Sequence, residues 1–270
     1  MQLKPREFAR FRDIVYDACG IALSEGKESL VSARIGKRMR QLGLEEFGTY
    51  LELLKEDAAG EEMIHMLDAI STNTTSFFRE PEHFEFITEQ VTRWRAEGQT
   101  RFRIWSAASS SGEEPYTLAM TLAECGLGPG TDTRILATDI STRILSAAHA
   151  GIYPLSKLAG IPRGYLNRWF ESAPEADVPS VAVRAPLKSL ISFQRLNLSQ
   201  PPFPMKGPFD LILVRNVMIY FDAPTREALI RECYRLLRPG GFLLVGHAES
   251  LNGLNTGFAC LRPSIYGKAR

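Results

Sequence analysis

Residues 105–116 read WSAASSSGEEPY, and this stretch decides the fold. It follows a short apolar strand predicted at 102–106 and opens a helix predicted at 113–125. Strands and helices alternate from here on, with strands predicted at 134–138, 209–214 and 242–246 and helices at 142–150 and 224–237. This alternation predicts an α/β domain whose parallel sheet carries helices on both faces. Ligands bind beyond the carboxyl ends of such strands, so residues 106–112 are a candidate ligand-binding loop.

The region before this domain has a different pattern. Apolar residues recur at helical spacing between residues 5 and 70, and Gly20, Gly43 and Gly60 separate the segments. We predict a small all-helical N-terminal domain at 1–71, a linker and connecting helix at 72–98, and the α/β domain at 99–270. Prolines interrupt the apolar residues near position 180, which predicts a small antiparallel β insertion at about 175–195.

Composition narrows the classes of function. The 270 residues are 44% hydrophobic and 23% charged, as in a globular protein, and the net charge of +1 disfavours a general nucleic-acid binder. The four cysteines are far apart and lack metal-ligand spacing, so we expect reduced thiols and no metal. The N-terminus has no apolar targeting segment, and no apolar run reaches the ~20 residues of a membrane span, so we expect a cytoplasmic protein without membrane insertion.

Acidic residues after the first two strands indicate the ligand. Glu113 and Glu114 in a first helical turn would repel a pyrophosphate and suit a positive amino group, although they could simply complement the helix dipole. Asp139 ends the second strand, where an acid can bind both ribose hydroxyls or cap the next helix. The loop lacks the G-x-G-x-x-G pattern of NAD sites. Together these features favour an adenosyl ligand without phosphate, such as S-adenosylmethionine.

Several motifs carry a family resemblance that spans nearly the whole chain. They are TNTTSFFRE (72–80), WSAASSSGEEPY (105–116), LATDIS (136–141), FDLILVRNVMIYF (209–221) and LRPGGFLLVGHAES (237–250). In this order, behind a helical N-terminus, the sequence resembles the CheR family of chemoreceptor glutamate methyltransferases. The resemblance implies a Rossmann-like S-adenosylmethionine-dependent methyltransferase domain. It also implies that the chain methylates glutamate side chains of methyl-accepting chemotaxis receptors and releases S-adenosylhomocysteine.

The resemblance also implies roles for individual residues. Glu113 would take the amino group of the cofactor, with Glu114 as its rival, and Asp139 would bind the ribose. Arg79 would lie near the cofactor carboxylate, although a surface ion pair with Glu80 or Glu82 is the alternative. The usual motif often has glycine where Ala108 stands. The other cofactor-binding residues implied by the motifs are Asn73, Thr75, Asn197, Leu198, Arg215 and Asn216.

Methylation of a carboxylate requires little acid–base chemistry. A glutamate side chain has a pKa of about 4.3 and is already an anion at pH 7, so no general base is expected. We therefore interpret the four histidines as structural or solvent-facing. Tyr220 is the candidate catalytic residue, since its hydroxyl could orient the incoming carboxylate; a core tyrosine beside Phe221 is an equal alternative.

A basic stretch in the N-terminal domain suggests a docking surface. Arg34 and Arg38 share a helix face, and Lys37 lies next to it. This excess of positive charge suits an acidic receptor helix, although a solvated polar face is the alternative. The insertion lacks a glycine-rich turn, so we expect no binding of a receptor C-terminal peptide there. Two other functions remain open, namely methylation of a different substrate and a non-catalytic adaptor that binds adenosyl ligands.

Overall fold

The N-terminal part of the chain is a four-helix domain. A computed structural model describes residues 3–57, 60–70, 74–254 and 256–269. The helices are α1 Pro5–Cys19, α2 Glu28–Gln41, α3 Phe47–Glu56 and α4 Glu61–Ile70. Their apolar stripes meet in one core, in which Phe11, Val15, Ile35, Tyr50 and Met66 are fully buried. The helical spacing of these residues in the sequence is what allows four short helices to share a core.

The rest of the chain alternates helices and strands. The helices are α5 Glu82–Ala96, α6 Glu113–Glu124, α7 Thr142–Ala150, α8 Arg163–Trp169, α9 Ala185–Lys188 and α10 Ala223–Leu236. The strands are β1 Arg101–Ala107, β2 Asp132–Asp139, β3 Ile152–Pro154, β4 Phe170–Ser172, β5 Ser180–Val183, β6 Ile191–Arg195, β7 Phe209–Val214, β8 Leu237–Val245, β9 Phe258–Arg262 and β10 Ile265–Lys268.

Seven of these strands form the main sheet, in the order β6-β2-β1-β7-β8-β10-β9. Strands β6, β2, β1, β7 and β8 are parallel, whereas β10 runs antiparallel to β8 and β9 runs antiparallel to β10. Every residue of β7 is buried, as expected for a central strand covered on both faces. The predicted α/β architecture with a helical N-terminal domain is confirmed.

The small antiparallel insertion exists, but its limits differ from the predicted 175–195. Its sheet has the order β3-β5-β4 and therefore begins near residue 152. Strand β6 falls within the predicted limits, but it pairs in parallel with β2 at the edge of the main sheet. The limits differ because strand partners are set by tertiary pairing, and the two short strands β3 and β4 have little sequence signal of their own.

The two domains meet along the carboxyl ends of the parallel strands. Ile21, in the loop between α1 and α2, forms a β-bridge with Phe221, and the neighbouring Ala22 N–H donates to the Tyr220 carbonyl at 2.8 Å. On the opposite side, Arg143 Nε donates to Asp68 Oδ2 at 2.6 Å. These contacts place the helical domain over the strand ends. No helix in the described ranges combines the length and apolar character needed to cross a membrane.

Gly112 connects the strand β1 region to helix α6 and is constrained in two ways. Its φ is +96°, and a Cβ there would lie 2.7 Å from the Tyr153 hydroxyl. Gly98 has a similar φ of +89° but open space around it. A substitution at Gly98 therefore measures the cost of the backbone conformation without a steric clash.

We expect Gly98→Ala to cost about 1 kcal/mol of unfolding free energy and Gly112→Ala to cost about 3 kcal/mol, since overpacking adds to the strain. Urea denaturation measures both, and equal losses would show that the Tyr153 contact is unimportant.

Candidate cofactor and acceptor site

A cavity of about 320 Å³ lies between the domains, above the ends of β1, β2 and β7. Its size is at the lower end of the range for small-molecule sites. The α/β domain supplies the floor, and residues 21–24 and α2 of the helical domain supply the roof. Twelve of the lining residues are Lys27, Leu30, Arg34, Thr75, Arg79, Ala108, Ser110, Glu114, Asp139, Leu198, Arg215 and Tyr220.

The loop after β1 exposes its backbone to this cavity. Ala108 and Ser110 have φ values of 58° and 49°, in the left-handed region that non-glycine residues seldom adopt. Both residues line the cavity. Small side chains in such a loop let a ligand approach the main chain closely, and Ala108 adds only one methyl group there.

Asp139 occupies the position expected of a ribose ligand. Its Oδ2 accepts from the Ser110 N–H at 2.9 Å, and its Oδ1 accepts from the Ser141 N–H at 3.1 Å. Burial raises the pKa of Asp139, and these two N–H donors oppose that shift. Helix α7 is capped by Ser141, whose Oγ accepts from the Ile144 N–H, and not by Asp139. The carboxylate is therefore fixed at the cavity wall with lone pairs left for hydroxyl donors.

The structure places the two adjacent glutamates in different surroundings. Glu113 is fully buried outside the cavity, where its carboxylate accepts from Ser111 Oγ at 2.6 Å and Lys157 Nζ at 2.7 Å. Glu114 lines the cavity. Consecutive side chains on a helix point about 100° apart, so only one of the pair can face the ligand. Of the two glutamates, Glu114 is the one that lines the cavity, where its Oε1 accepts from Ser106 Oγ at 2.7 Å.

Arg215 joins Glu114 to a second acid that sequence reasoning missed. Its Nη1 donates to Glu114 Oε2 at 2.8 Å, and its Nη2 lies 3.0 Å from Glu80 Oε2. The Arg215 side chain is only 2% exposed. Burial opposes ionisation of Glu80, but Arg215, the His247 N–H and Asn216 together hold its pKa below the usual value. Glu80 thus pairs with Arg215 and not with Arg79, the pairing considered from the sequence.

Asn216 follows Arg215 in a strained turn at the end of β7. Its φ is 59°, and its Nδ2 donates to Glu80 Oε1 at 3.3 Å. Buried Glu249 holds this turn, because its carboxylate accepts from the N–H groups of Asn216, Met218 and Gly246 at 2.7–2.8 Å. A Cβ at Gly246 would meet Asn216 Nδ2 at 2.5 Å. The signal for Glu249 was the GHAES motif, to which we had assigned no role.

Four of the other implied cofactor-binding residues line the cavity. Thr75 and Arg79 line it, and Arg79 Nη1 donates to the Thr74 carbonyl at 2.9 Å. Asn73 lies outside the described residues. Leu198 lines the wall as expected. Asn197 also lines it, but its Nδ2 donates to the Ala18 carbonyl at 2.9 Å and so joins the two domains.

The predicted docking residues have three different environments. Arg34 lines the cavity and donates to the Ile70 carbonyl. Arg38 makes a two-pronged ion pair with buried Glu62, at 2.9 and 2.6 Å. Lys37 is exposed. Only Lys37 therefore points a charge toward solvent in the way that the docking interpretation requires of all three.

One histidine is unlike the other three. His83 is 1% exposed, and burial lowers its pKa to about 4, with the charge of Arg215 acting in the same direction. Its imidazole is therefore neutral at pH 7. The described residues that line the cavity include no histidine.

The different surroundings of the two glutamates give a test. We expect Glu114→Gln to weaken binding of S-adenosylmethionine by about 10–100-fold, since it removes a charged partner of the amino group. Glu113→Gln should leave binding within a few-fold and cost about 2 kcal/mol of stability through the lost Lys157 pair. Calorimetric titration and urea denaturation of both variants measure these effects. A larger loss of affinity in Glu113→Gln would return the amino-group role to Glu113.

Comparison with known proteins identifies the two domains. The family described as "CheR methyltransferase, all-alpha domain" matches residues 6–71, and "CheR methyltransferase, SAM binding domain" matches residues 73–266. The second match names S-adenosylmethionine as the ligand of the α/β domain, in agreement with the cavity and its acids.

Relatives match over nearly the full length. A chemotaxis protein methyltransferase of Salmonella typhimurium is 37% identical over 100% of this chain and 92% of its own. One from Borreliella burgdorferi is 38% identical over 97% and 94%, and a probable one from Rhizobium etli is 41% identical over 89% and 91%. The fold, the cavity and these similarities agree: this chain belongs to the CheR family of S-adenosylmethionine-dependent methyltransferases.

Proposed function

We propose that this enzyme transfers the methyl group of S-adenosylmethionine to glutamate side chains of chemoreceptors. The observation that carries the proposal is the charge of the cavity. Its described lining contains four cations (Lys27, Arg34, Arg79 and Arg215), two carboxylates (Glu114 and Asp139) and no histidine. An excess of positive charge suits an anionic acceptor, and the absence of a histidine suits an acceptor that needs no deprotonation.

The residues of the cavity fit the cofactor by their chemistry. Asp139 offers carboxylate oxygens to the ribose hydroxyls, and Glu114 offers one to the amino group. Arg215 orients the Glu114 carboxylate through their 2.8 Å bond. The bound cofactor supplies a methyl group on a positively charged sulfur. The sulfonium would make this methyl group electrophilic toward a carboxylate oxygen of the acceptor, with S-adenosylhomocysteine as the leaving group, and no residue of the cavity would need to transfer a proton.

Arg79 and Tyr220 are the proposed contacts of the reacting groups. Arg79 makes no ion pair among the described residues, so its guanidinium can take a carboxylate, that of the cofactor being the one expected from the family motif. Tyr220 is half-buried at the cavity wall, and its main chain is held by Ala22 of the helical domain. Its hydroxyl would orient the acceptor oxygen. We expect it to increase the rate mainly by aligning the reacting groups and only slightly by acid–base chemistry.

The receptor as substrate rests on the names of the relatives and on the exposed basic residue of α2. A receptor's cytoplasmic helices would present glutamates to a cavity that opens between the domains. Location in the cytoplasm follows from that substrate as part of the same proposal. Membrane insertion and nucleic-acid binding are not part of it.

The bond formed distinguishes this function from its alternatives. We expect a chemoreceptor cytoplasmic fragment to take up label from methyl-labelled S-adenosylmethionine, and mild base to release that label as methanol, since esters hydrolyse where N-methyl groups do not. A fragment with its acceptor glutamates changed to glutamine is the matched control. Base-stable label would indicate another acceptor, and cofactor binding without transfer would indicate an adaptor.

The role of Tyr220 has its own test. We expect Tyr220→Phe to lower kcat about tenfold, equivalent to about 1.4 kcal/mol of transition-state stabilisation, with S-adenosylhomocysteine affinity unchanged. Tyr16→Phe is the control, because it removes a hydroxyl that bonds Asp222 at 2.8 Å at the same domain contact but outside the cavity. An unchanged kcat in Tyr220→Phe would show that Tyr220 only packs.

Two neighbouring residues of α2 test the docking surface. We expect Lys37→Ala to raise the KM for the receptor fragment about 2–5-fold, more at low salt, with stability unchanged. Arg38→Ala should instead cost about 3 kcal/mol of stability, because it leaves the buried Glu62 carboxylate with only the Tyr50 hydroxyl. Initial rates at two salt concentrations and thermal unfolding measure these effects. An unchanged KM for Lys37→Ala at both salt concentrations would exclude this face.

A further inference from the structure

Three potential metal ligands meet beside the Arg215 ion pairs. Glu80 lies just before α5, His83 lies in its first turn and His247 follows β8. One ligand atom from each falls within 4.8 Å of the other two. The imidazole rings of His83 and His247 lie 5.3 Å apart between centroids, nearly perpendicular to each other. His83 and His247 are far apart in sequence, so no ligand spacing could show this cluster.

The buried imidazole supplies a second, independent observation. His83 is 1% exposed, and neither of its ring nitrogens has a hydrogen-bond partner among the residues that the structure describes. Its Nδ1 lies 3.5 Å from Glu80 Oε2, beyond a normal hydrogen bond. Buried polar atoms are nearly always paired, so an imidazole without a partner points to a group that the protein atoms do not provide.

The geometry points to a site for a divalent transition metal of the Zn²⁺ class, bound by Glu80, His83 and His247. Two imidazoles and one carboxylate favour Zn²⁺, Cu²⁺, Ni²⁺ or Co²⁺ over Mg²⁺ and Ca²⁺, which prefer oxygen. Ligand bonds of about 2.0–2.1 Å place the donor atoms of a tetrahedral site about 3.3 Å apart, so the cluster must tighten. The side chain of His247 is 51% exposed and free to do so.

Because His247 is exposed, an ion can reach the cluster from solvent, and a further ligand can bind it from the same side. His247 forms the outer wall of the cluster, and its Nε2 lies 3.8 Å from Glu82 Oε2, which is itself exposed. His83 forms the inner wall. Glu82 or water can complete a four-coordinate site. The positive charge of Arg215 beside Glu80 opposes a cation, which predicts weak, reversible binding in place of a permanent structural ion.

A metal in this position would inhibit cofactor binding. Glu80 is the acid that pairs with Arg215 and accepts from Asn216, so a metal on its carboxylate weakens both contacts. Arg215 in turn orients Glu114. This inhibitory step rests on the proposed position of the cofactor amino group, whereas metal binding itself does not.

Metal binding can be measured directly, without an assay of methyl transfer. Co²⁺ added to the purified full chain should give the visible absorption of a low-symmetry site, and calorimetry with Zn²⁺ should give one ion per chain. We expect His247→Ala to weaken Zn²⁺ binding at least tenfold with an unchanged Tm. His149→Ala, an exposed histidine elsewhere, and Cys260→Ser, an exposed thiol, should bind as the unmodified chain does. Equal Zn²⁺ binding by His247→Ala would overturn the site.

The inhibitory step has a separate readout. Titration of S-adenosylhomocysteine should give a several-fold lower affinity with saturating Zn²⁺ than with a chelator, and His247→Ala should lose this difference. If Zn²⁺ binds at the cluster and the affinity for S-adenosylhomocysteine does not change, the inhibitory effect is wrong but the metal site itself stands. Failure of S-adenosylhomocysteine to bind even with a chelator would count against the proposed function instead.

Discussion

The guanidinium of Arg215 is the constraint on which the site depends. It is charged at any pH the protein meets and is almost fully buried, so it must be paired where the chain places it. Its two acids come from different segments, Glu114 from the start of α6 and Glu80 from the stretch before α5. The pairing therefore ties three parts of the chain together at one end of the cavity and fixes the position of Glu114 in its wall.

Backbone strain is concentrated around the same point. Six described non-glycine residues have positive φ, and five of them lie in the three segments that meet at the site: Phe78, Glu80, Ala108, Ser110 and Asn216. Such conformations cost of order 1–3 kcal/mol each and persist only where the surroundings over-determine them. Here the buried parallel sheet and the Glu249 hydrogen bonds do so. The strain fixes the atoms that must align a sulfonium with a carboxylate, a reaction that depends on position more than on proton transfer.

The two domains together enclose the site. The floor of the cavity alone would leave the reacting charges in water, whereas the α1–α2 loop covers it and contacts Phe221 and Tyr220 from above. Asn197 illustrates the consequence, since its side-chain amide joins the domains at the cavity wall. In this arrangement the contact covers the cavity and shields the reacting groups from solvent.

The sequence by itself determined the order of strands and helices, the helical N-terminal domain, and Asp139 and Arg215-Asn216 at strand ends. These depend on local periodicity and on the rule that parallel strands end at one edge of the sheet. Only the tertiary structure showed that Glu114 lines the cavity while Glu113 pairs with Lys157, that β6 pairs with β2, that Glu80 pairs with Arg215, and that Arg38 pairs with Glu62. Each of these depends on which distant groups pack around a side chain, and local sequence carries no record of that.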